Sequence, residues 1–435
     1  MTRAVLAAVA LSLAACGPKA VPGIPKALVA RAELDTRPIA LPAMREETLA
    51  NGLHLLALED HELPVVTLAL FWPAGDTSDP PGAAGLASLG ASVMRQGTGT
   101  RGAEDIADAI ESVGGELSSG SDMEWSTVQA RVLSRDLELA LDLVADIAQH
   151  PSFPADELED ARRQFVGTAK LGLDDPEQLA ARFATTRVFG AGNPYAVDLT
   201  EASLGKIRRE DVVAHATRLY GPSGAILAVA GDVDSASLLA GLKRRFEGWK
   251  GAARTPPVFP PLPVARREIV LVDKPGLTQT FLRVGLPAVS RRDPDYTALM
   301  LANNVLGGAY SSRLTKVVRA DGGKTYGVRS WLSARREQGT FWVSTSTRTA
   351  ETVATLDLVL REVAKMRDGG VTASELANAK SNRAGSYPRR FETGSDVVGE
   401  VVTARLMGLS LDHVTDARRR IVETPLDAVN AAAKK

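Results

Sequence analysis

Residues 85–98 of the chain read G-L-A-S-L-G-A-S-V-M-R-Q-G-T. Apolar side chains recur there at positions i, i+3 and i+7, the spacing of one helix face, so the stretch predicts an amphipathic helix. The apolar stripe consists of Leu86, Leu89 and Val93. The opposite face carries small side chains, namely Ser88, Ala91 and Ser92. Their i, i+3, i+4 spacing directs several groups on a helix to one point. On its own, the pattern is typical of a core helix with a small-residue face.

The composition of the 435-residue chain is that of a globular protein with room for two or three domains. Hydrophobic residues make up 45% and charged residues 24% of the chain, which suffices for a buried core. The 51 basic and 52 acidic residues give a net charge of −1, so we expect no nucleic-acid partner. The single cysteine excludes an internal disulfide framework and a cysteine-rich zinc site.

The five histidines offer no metal-binding pattern, because no two of them lie three or four positions apart. They are His54, His61, His150, His215 and His413. A serine nucleophile at Ser88 or Ser92 would need a base, and that helix face supplies none. We therefore expect no metal cofactor and no nucleophilic hydrolase site built from this chain alone.

The first residues predict export and lipidation. Residues 4–15 form an apolar run that is too short to span a bilayer and is typical of a signal peptide. The run ends L-A-A-C-G, which resembles the lipobox at which bacterial signal peptides are cut before a lipidated cysteine. That resemblance implies a signal peptide at residues 1–15 and a lipid anchor on Cys16, with residues 16–44 as a tether. Gly17 then favours the outer membrane, facing the periplasm; a plain secretory signal is the alternative.

A proline-rich segment divides the remaining chain into two halves. Five of the 13 residues in 251–263 are proline, which excludes a helix or a central strand there. We interpret residues 251–266 as an interdomain linker. The order of predicted elements in residues 45–250 recurs in residues 267–435. The sequence therefore predicts an α+β fold of two homologous halves, each a mainly antiparallel sheet packed with helices on one face.

Period-two and β-branched patterns predict the strands, and 3.6-residue periods predict the helices. The predicted strands cover residues 53–58, 64–72, 116–133 (an edge hairpin), 224–231, 268–272, 278–286, 325–332 and 339–347. The other predicted helices cover residues 103–113, 134–149, 156–173, 176–188, 209–220, 235–246, 296–306, 349–367, 372–387 and 424–435. Residues 424–435 match residues 209–220, after which a strand and a helix follow in the first half. By the repeat, the second half lacks a strand, with or without a closing helix, so we expect either a truncated end, which we favour, or a second sheet that loses an edge.

The frame G-L-A…G-T of residues 85–98 resembles the zinc helix of the insulysin/pitrilysin family of zinc peptidases, whose members include mitochondrial-processing-peptidase-like proteins. That helix reads G-L-A-H-F-L-E-H-M-x-x-x-G-T, with two zinc-binding histidines and a glutamate as general base. Aligned without gaps, these three positions hold Ser88, Ala91 and Ser92. The family's third ligand, a glutamate, would fall in residues 164–173, which contain no Asp, Glu or His. The resemblance implies a peptidase fold whose zinc site has been lost, because serine and alanine cannot replace imidazole and carboxylate.

A second block, residues 306–326, reads L-G-G-A-Y-S-S-R-L-T-K-V-V-R-A-D-G-G-K-T-Y and resembles the same family's block L-G-G-G-x-S-S-R-L-x-x-x-V-R-x-x-x-G-x-x-Y. The resemblance implies that Arg319 binds the substrate backbone and that the Tyr326 hydroxyl stabilises the oxyanion of peptide hydrolysis. The alternative is that Arg319 forms a structural ion pair and Tyr326 is a half-buried strand residue.

The resemblance implies a zinc-free subunit of a heterodimeric envelope metallopeptidase, inactive alone. A homologous partner subunit would carry the zinc, this chain would contribute Arg319 and Tyr326, and the substrate would be a peptide. A second hypothesis, of a different class, is an inactive structural or peptide-binding homologue in an envelope complex. A self-sufficient peptidase with other zinc ligands is disfavoured, because the sequence shows no alternative ligand cluster.

Overall fold

The computed structural model describes residues 34–251, 253–263 and 266–435. The predicted signal peptide and Cys16 lie outside the described residues. Residues Thr36–Lys435 form one compact unit. Within the described ranges, no helix combines the length and the apolar character needed to cross a membrane.

The first half is built on a six-stranded sheet. Its strands are β1 Met44–Thr48, β2 His54–Glu59, β3 Val65–Trp72, β4 Glu116–Ser121, β5 Ser126–Leu133 and β6 Ile226–Gly231. They lie in the order β1-β2-β6-β3-β5-β4. Strands β2 and β6 run parallel, and the other pairs run antiparallel. The predicted hairpin is therefore confirmed, with β4 as the edge strand of the sheet.

Helices cover one face of this sheet. The helices of the first half are α1 Leu86–Val93, α2 Ala103–Glu111, α3 Leu137–Gln149, α4 Ala155–Asp174, α5 Pro176–Phe189, α6 Glu201–Leu204, α7 Arg209–Leu219 and α8 Ser235–Phe246, of which α5 packs against the second half's sheet instead. Side chains alternate between the faces of a strand, so Leu55 and Ala57 of β2 join the core beneath the helices. Leu56 and Leu58 point to the other face and are also fully buried. The first sheet is therefore covered on both faces.

The second half repeats this plan around a smaller sheet. Its strands are β7 Gln279–Ala288, β8 Val328–Ala334 and β9 Gly339–Arg348, in the antiparallel order β7-β9-β8. Its helices are α9 Tyr296–Asn303, α10 Thr352–Gly369, α11 Ala373–Ser386, α12 Gly394–Leu406, α13 Asp412–Thr415, α14 Ala417–Glu423 and α15 Leu426–Lys434. The predicted α+β class with two sheet-and-helix halves is confirmed. Described residues 253–263, between the halves, contain neither helix nor strand.

Helix α12 belongs to the second half by sequence but packs on the first sheet. Val397, Val398, Val401 and Val402 form one buried cluster with β2 and β6 side chains, including Leu56 and Leu58. In the opposite direction, Glu177 on α5 approaches Arg283 of β7, with 3.8 Å between the charged atoms. Each half therefore sends a helix to the sheet of the other half, which joins the two halves into one unit.

The strand predicted at residues 268–272 is not formed, which corrects the sequence-based prediction. Its counterpart β2 is held between β1 and β6. In the described part of the second half, β7 pairs with β9 and no strand takes the place of β6. Without such a partner the segment forms no strand, and Ile269 and Leu271 are 85% and 87% exposed.

Candidate functional site

Helix α1 forms where the sequence predicts it and begins with an unusual cap. Gly85 adopts φ 95°, a left-handed conformation that favours glycine. The Asp79 carboxylate accepts the backbone N–H groups of Gly85 at 2.8 Å, Leu86 at 3.1 Å and Ala87 at 2.8 Å. Burial raises the pKa of Asp79 to about 7, although the three N–H donors oppose the shift. One side chain thus satisfies three of the free N–H groups at the helix start.

The side chains at the three zinc-motif positions on α1 offer no free metal ligand, because both serines donate hydrogen bonds within the protein and the alanine is buried. The Ser88 hydroxyl donates to Asp76 at 2.7 Å, and the Ser92 hydroxyl donates to the main-chain oxygen of Leu89 at 2.8 Å. Ala91 is fully buried and has no polar side-chain atom. Burial also raises the pKa of Asp76, against the effect of the Ser88 hydrogen bond. Two neutral hydroxyls and a methyl group do not fit Zn²⁺, which takes imidazole, thiolate or carboxylate ligands.

The histidines are dispersed over the first and second halves. Among the described residues, no group of three or more His, Cys, Asp or Glu side chains could hold a metal ion. His61, for example, pairs with Asp232 at 2.6 Å and Glu59 at 3.0 Å in an exposed position. His215 is buried, and neither of its ring nitrogens has a hydrogen-bond partner.

The second-half block contains two π-helical turns, Asn304–Gly308 and Thr315–Asp321, and Arg319 lies in the latter. Single π-helical turns are often found at functional sites. Beside them, Arg313 donates from Nε and Nη2 to the two carboxylate oxygens of Glu375, at 2.7 Å each. This bidentate pair is the main cause that lowers the pKa of Glu375 to about 2. The ion pair fixes the block to α11.

Arg319 lies between two exposed tyrosines. Its guanidinium carbon is 5.2 Å from the ring centroid of Tyr326 and 5.3 Å from that of Tyr310, within cation–π range. Tyr326 is 90% exposed and Tyr310 79% exposed. A cavity of about 500 Å³ adjoins the cluster and is lined by Tyr310, Arg319 and neighbouring residues. We call Tyr310, Arg319 and Tyr326 the Arg319 cluster.

The surroundings of Arg319 and Tyr326 do not match the alternative of a structural ion pair and a half-buried strand residue. Within the described part of the chain, no carboxylate pairs with Arg319, so it is not part of a structural ion pair. Tyr326 precedes β8, which begins at Val328, and its side chain is exposed rather than half-buried. Sequence analysis missed Tyr310, which occupies a variable position of the block and carried no signal of its own. No hydrogen bond, ion pair or ring contact of the described residues joins the Arg319 cluster to Ser88 or Ser92.

Models of one protein family match both halves of the chain. Residues 55–170, which include α1, match the family model "Insulinase (Peptidase family M16)". Residues 206–383, which include the Arg319 cluster, match the model "Peptidase M16 inactive domain". The chain belongs to the M16 family of peptidases.

Individual M16 relatives match over nearly the whole chain. An uncharacterized zinc protease of Streptomyces coelicolor is 27% identical, covering 90% of this chain and 86% of the relative. The crystal structure of a peptidase M16 inactive domain from Pseudomonas fluorescens has a TM-score of 0.83 at 27% identity, covering 90% of this chain and 94% of that one. A chain of Complex III2 from Candida albicans shares the fold, with a TM-score of 0.74 at 17% identity, over 90% of this chain and 93% of that one.

Proposed function

We propose that this M16 chain is the zinc-free subunit of a heterodimeric metallopeptidase and contributes Arg319 and Tyr326 to the zinc site of a homologous partner. The Arg319 cluster supports the proposal most strongly, because an unpaired arginine and two tyrosines face solvent on a well-anchored block. The positions of the zinc ligands on α1 point the same way, since their side chains do not fit zinc.

The chemistry assigned to the cluster follows from its donors. A tyrosine hydroxyl is a neutral donor that can stabilise the oxyanion formed when water attacks a peptide carbonyl. The Arg319 guanidinium would bind backbone carbonyl oxygens of the substrate, and the flanking rings hold its plane in position. Zinc in the partner would supply the activated water. The edge strand β4, whose one partner among the described strands is β5, offers a place for an extended peptide to add as a strand.

The proposal is tested by mixing the purified chain with an M16 homologue that carries the H-x-x-E-H motif. We expect the isolated chain to bind no stoichiometric zinc and to cleave no peptide, and the mixture to gain activity at a one-to-one ratio. Tyr326→Phe in this chain should lower kcat/KM of the mixture about 100-fold, the effect of losing one oxyanion donor. Tyr310→Phe is the matched control, because it removes a hydroxyl from the other ring beside Arg319. Stoichiometric zinc in the isolated chain would refute the proposal.

A second candidate is a structural or peptide-binding role without catalysis. It is favoured by the shared fold with a chain of the Candida albicans Complex III2. In that case Arg319→Ala and Tyr326→Phe would leave the rate of any reconstituted peptidase unchanged, while the pair of proteins would still associate. Comparing association with rate in the same variants separates the two candidates.

We also propose that the chain is lipid-anchored in the cell envelope through Cys16. The L-A-A-C sequence at residues 13–16 supports this, and metabolic labelling with a radioactive fatty acid tests it. Label should enter the wild-type protein and be absent from Cys16→Ser. Equal labelling of both forms would contradict the anchor.

A further inference from the structure

The second half contains a cavity of about 570 Å³ whose walls are rich in arginine. It lies between the start of α9, the end of α11, the segment 387–392 and helices α13 and α14. Five arginines line it: Arg291, Arg383, Arg389, Arg390 and Arg420. Glu392 is the one carboxylate among its lining residues. Neither the M16 family models nor the proposed function assigns a role to this cavity.

Few of these positive charges are balanced by the protein. Arg390 pairs with Glu400, with Nε and Oε1 2.8 Å apart. Arg383 instead directs Nε and Nη2 to the sulfur of Met300, at 3.2 and 3.0 Å. A thioether is a weak, uncharged acceptor. The other side chains of the cavity therefore leave the Arg383 charge largely uncompensated.

Arg291 and Arg420 are also without a carboxylate at the cavity. The guanidinium carbon of Arg291 lies 3.9 Å from the ring centroid of Tyr296, and its Nη1 is buried with no hydrogen-bond partner. Arg420 donates to the main-chain oxygens of Asp412, at 2.8 Å, and His413. Neither guanidinium group forms an ion pair with a carboxylate of the described residues; burial lowers the pKa of Arg420, and the nearby Asp416 carboxylate opposes that shift only in part.

The neighbouring positive charges of the cavity also lower the pKa values of two side chains that line it. Burial lowers the pKa of Arg383, and the nearby charges of Arg390 and Arg291 lower it further. Burial, together with Arg291 and Arg420, lowers the pKa of His413 to about 4, so this imidazole is neutral at pH 7. Partly buried charges without counter-charges cost free energy, and an anion in the cavity would offset that cost.

We propose that this cavity binds a phosphate-bearing small molecule with at least two negative charges. Guanidinium groups match phosphate oxygens with paired N–H donors, and several of them together favour a multiply charged anion. The volume is in the range of small-molecule sites and exceeds the needs of a single phosphate. Tyr296 and Tyr387, which also line the cavity, offer ring surface for the rest of the ligand.

The test is isothermal titration calorimetry of the full chain with inorganic phosphate and with pyrophosphate, at constant ionic strength set with sodium chloride. We expect saturable one-to-one binding that is tighter for pyrophosphate. Arg383→Gln should weaken it at least about tenfold, because an arginine–phosphate pair is charge-assisted and bidentate. Arg361→Gln, on the exposed face of α10, is the matched control and should bind as the wild type does.

Two further measurements distinguish a loss of binding from a loss of folding in the variants. The Arg389 side chain is exposed and makes no hydrogen bond among the described residues, so Arg389→Gln should fold normally and still weaken binding. Without phosphate, Arg383→Gln should melt at the same or a higher temperature than wild type, because it removes a crowded charge. The absence of saturable binding, or equal binding in wild type and both cavity variants, overturns the proposal.

The source of the phosphate is found by comparing two probes. Glycerol 3-phosphate stands for soluble phosphate esters, and vesicles of phosphatidylglycerol, with phosphatidylcholine vesicles as control, stand for lipid headgroups. Binding of the soluble ester that vesicles do not compete for indicates a soluble ligand. Competition by phosphatidylglycerol vesicles indicates a headgroup. Both results support the phosphate chemistry, and failure of both probes together with pyrophosphate refutes it.

Discussion

At the scale of single residues, His215 makes stability depend on pH. It is buried on α7, neither ring nitrogen has a partner, and burial, with Arg218 nearby, lowers its pKa from 6.5 to about 4. The folded state therefore holds the neutral ring, whereas the unfolded chain takes up a proton below about pH 6.5. The contribution of the neutral His215 ring to the unfolding free energy is therefore complete above pH 6.5 and is lost as the pH falls toward 4.

We predict that His215→Leu removes this dependence. From pH 8 to pH 5 the wild type should lose about 2 kcal/mol of unfolding free energy through His215, since one pKa unit corresponds to about 1.4 kcal/mol. Urea unfolding at the two pH values measures the loss in both proteins. His150→Gln is the control, because the His150 side chain is 64% exposed. An undiminished pH dependence in His215→Leu would contradict the assignment.

At the scale of elements, the sequence predicted most segments whose residue pattern agrees with their local structure. Helix α8, for instance, was predicted at residues 235–246 and spans Ser235–Phe246. Helix α12 was missed, because four of its 13 residues are valine, which disfavours helix, and its burial on the other half's sheet overrides that preference. For residues 268–272 the prediction was wrong in the opposite direction: a strand was predicted and none forms, since the described second half offers no strand for this segment to pair with.

Part of the candidate site was also predictable from the sequence. The motif spacing located Arg319 and Tyr326, and the structure places their side chains together. Tyr310 could not be predicted, because it occupies a variable position of the block and only the folded chain shows its ring beside Arg319. Nor could the motif show that Ser88 and Ser92 already donate to acceptors within the protein.

Asp79 supports α1 and gives this element its own pH dependence. The pKa of Asp79 is raised from 3.8 to about 7, chiefly by burial, so its stabilising contribution is complete below pH 3.8 and is lost as the pH rises through 7. Asp79→Asn keeps an oxygen acceptor for the helix N–H groups but does not ionise. Between pH 6 and pH 8 the wild type should lose about 1.4 kcal/mol relative to this variant in urea unfolding. Glu104→Gln, an exposed acid in the first turn of α2, should show no such difference.

At the scale of the whole molecule, the exchange of helices predicts that the halves unfold together. Val401 on α12 is fully buried against the first half's sheet. Val401→Ala should cost about 2 kcal/mol through lost burial and a residual cavity. Amide hydrogen exchange in β2 and β6 should accelerate although the substitution lies in the second half. Val353→Ala on α10 is the control, since Val353 is 72% exposed.

The two halves also meet at the tips of two hairpins, and this contact sets the position of the edge strand β4 relative to the block that carries Tyr326. The Glu124 carboxylate, in the turn between β4 and β5, accepts the Tyr195 hydroxyl at 2.5 Å and the N–H of Arg336 at 3.0 Å. Arg336 lies in the turn between β8 and β9, and β8 begins two residues after Tyr326. Burial raises the pKa of Glu124, and these donors oppose that shift.

A double-mutant cycle with Glu124→Gln and Tyr195→Phe should therefore give a coupling of about 1.5 kcal/mol in unfolding free energy, the usual strength of a hydrogen bond to a charged group. If peptide adds to β4 while Tyr326 acts in the partner's site, Tyr195→Phe should also lower kcat/KM of the reconstituted enzyme several-fold, because small displacements reduce the rate. Additive stability effects would mean that Tyr195 does not support the Glu124 carboxylate, which accepts the N–H of Arg336 from the second half. Coupling in stability with an unchanged rate would mean that the hairpin contact holds the fold without positioning the substrate.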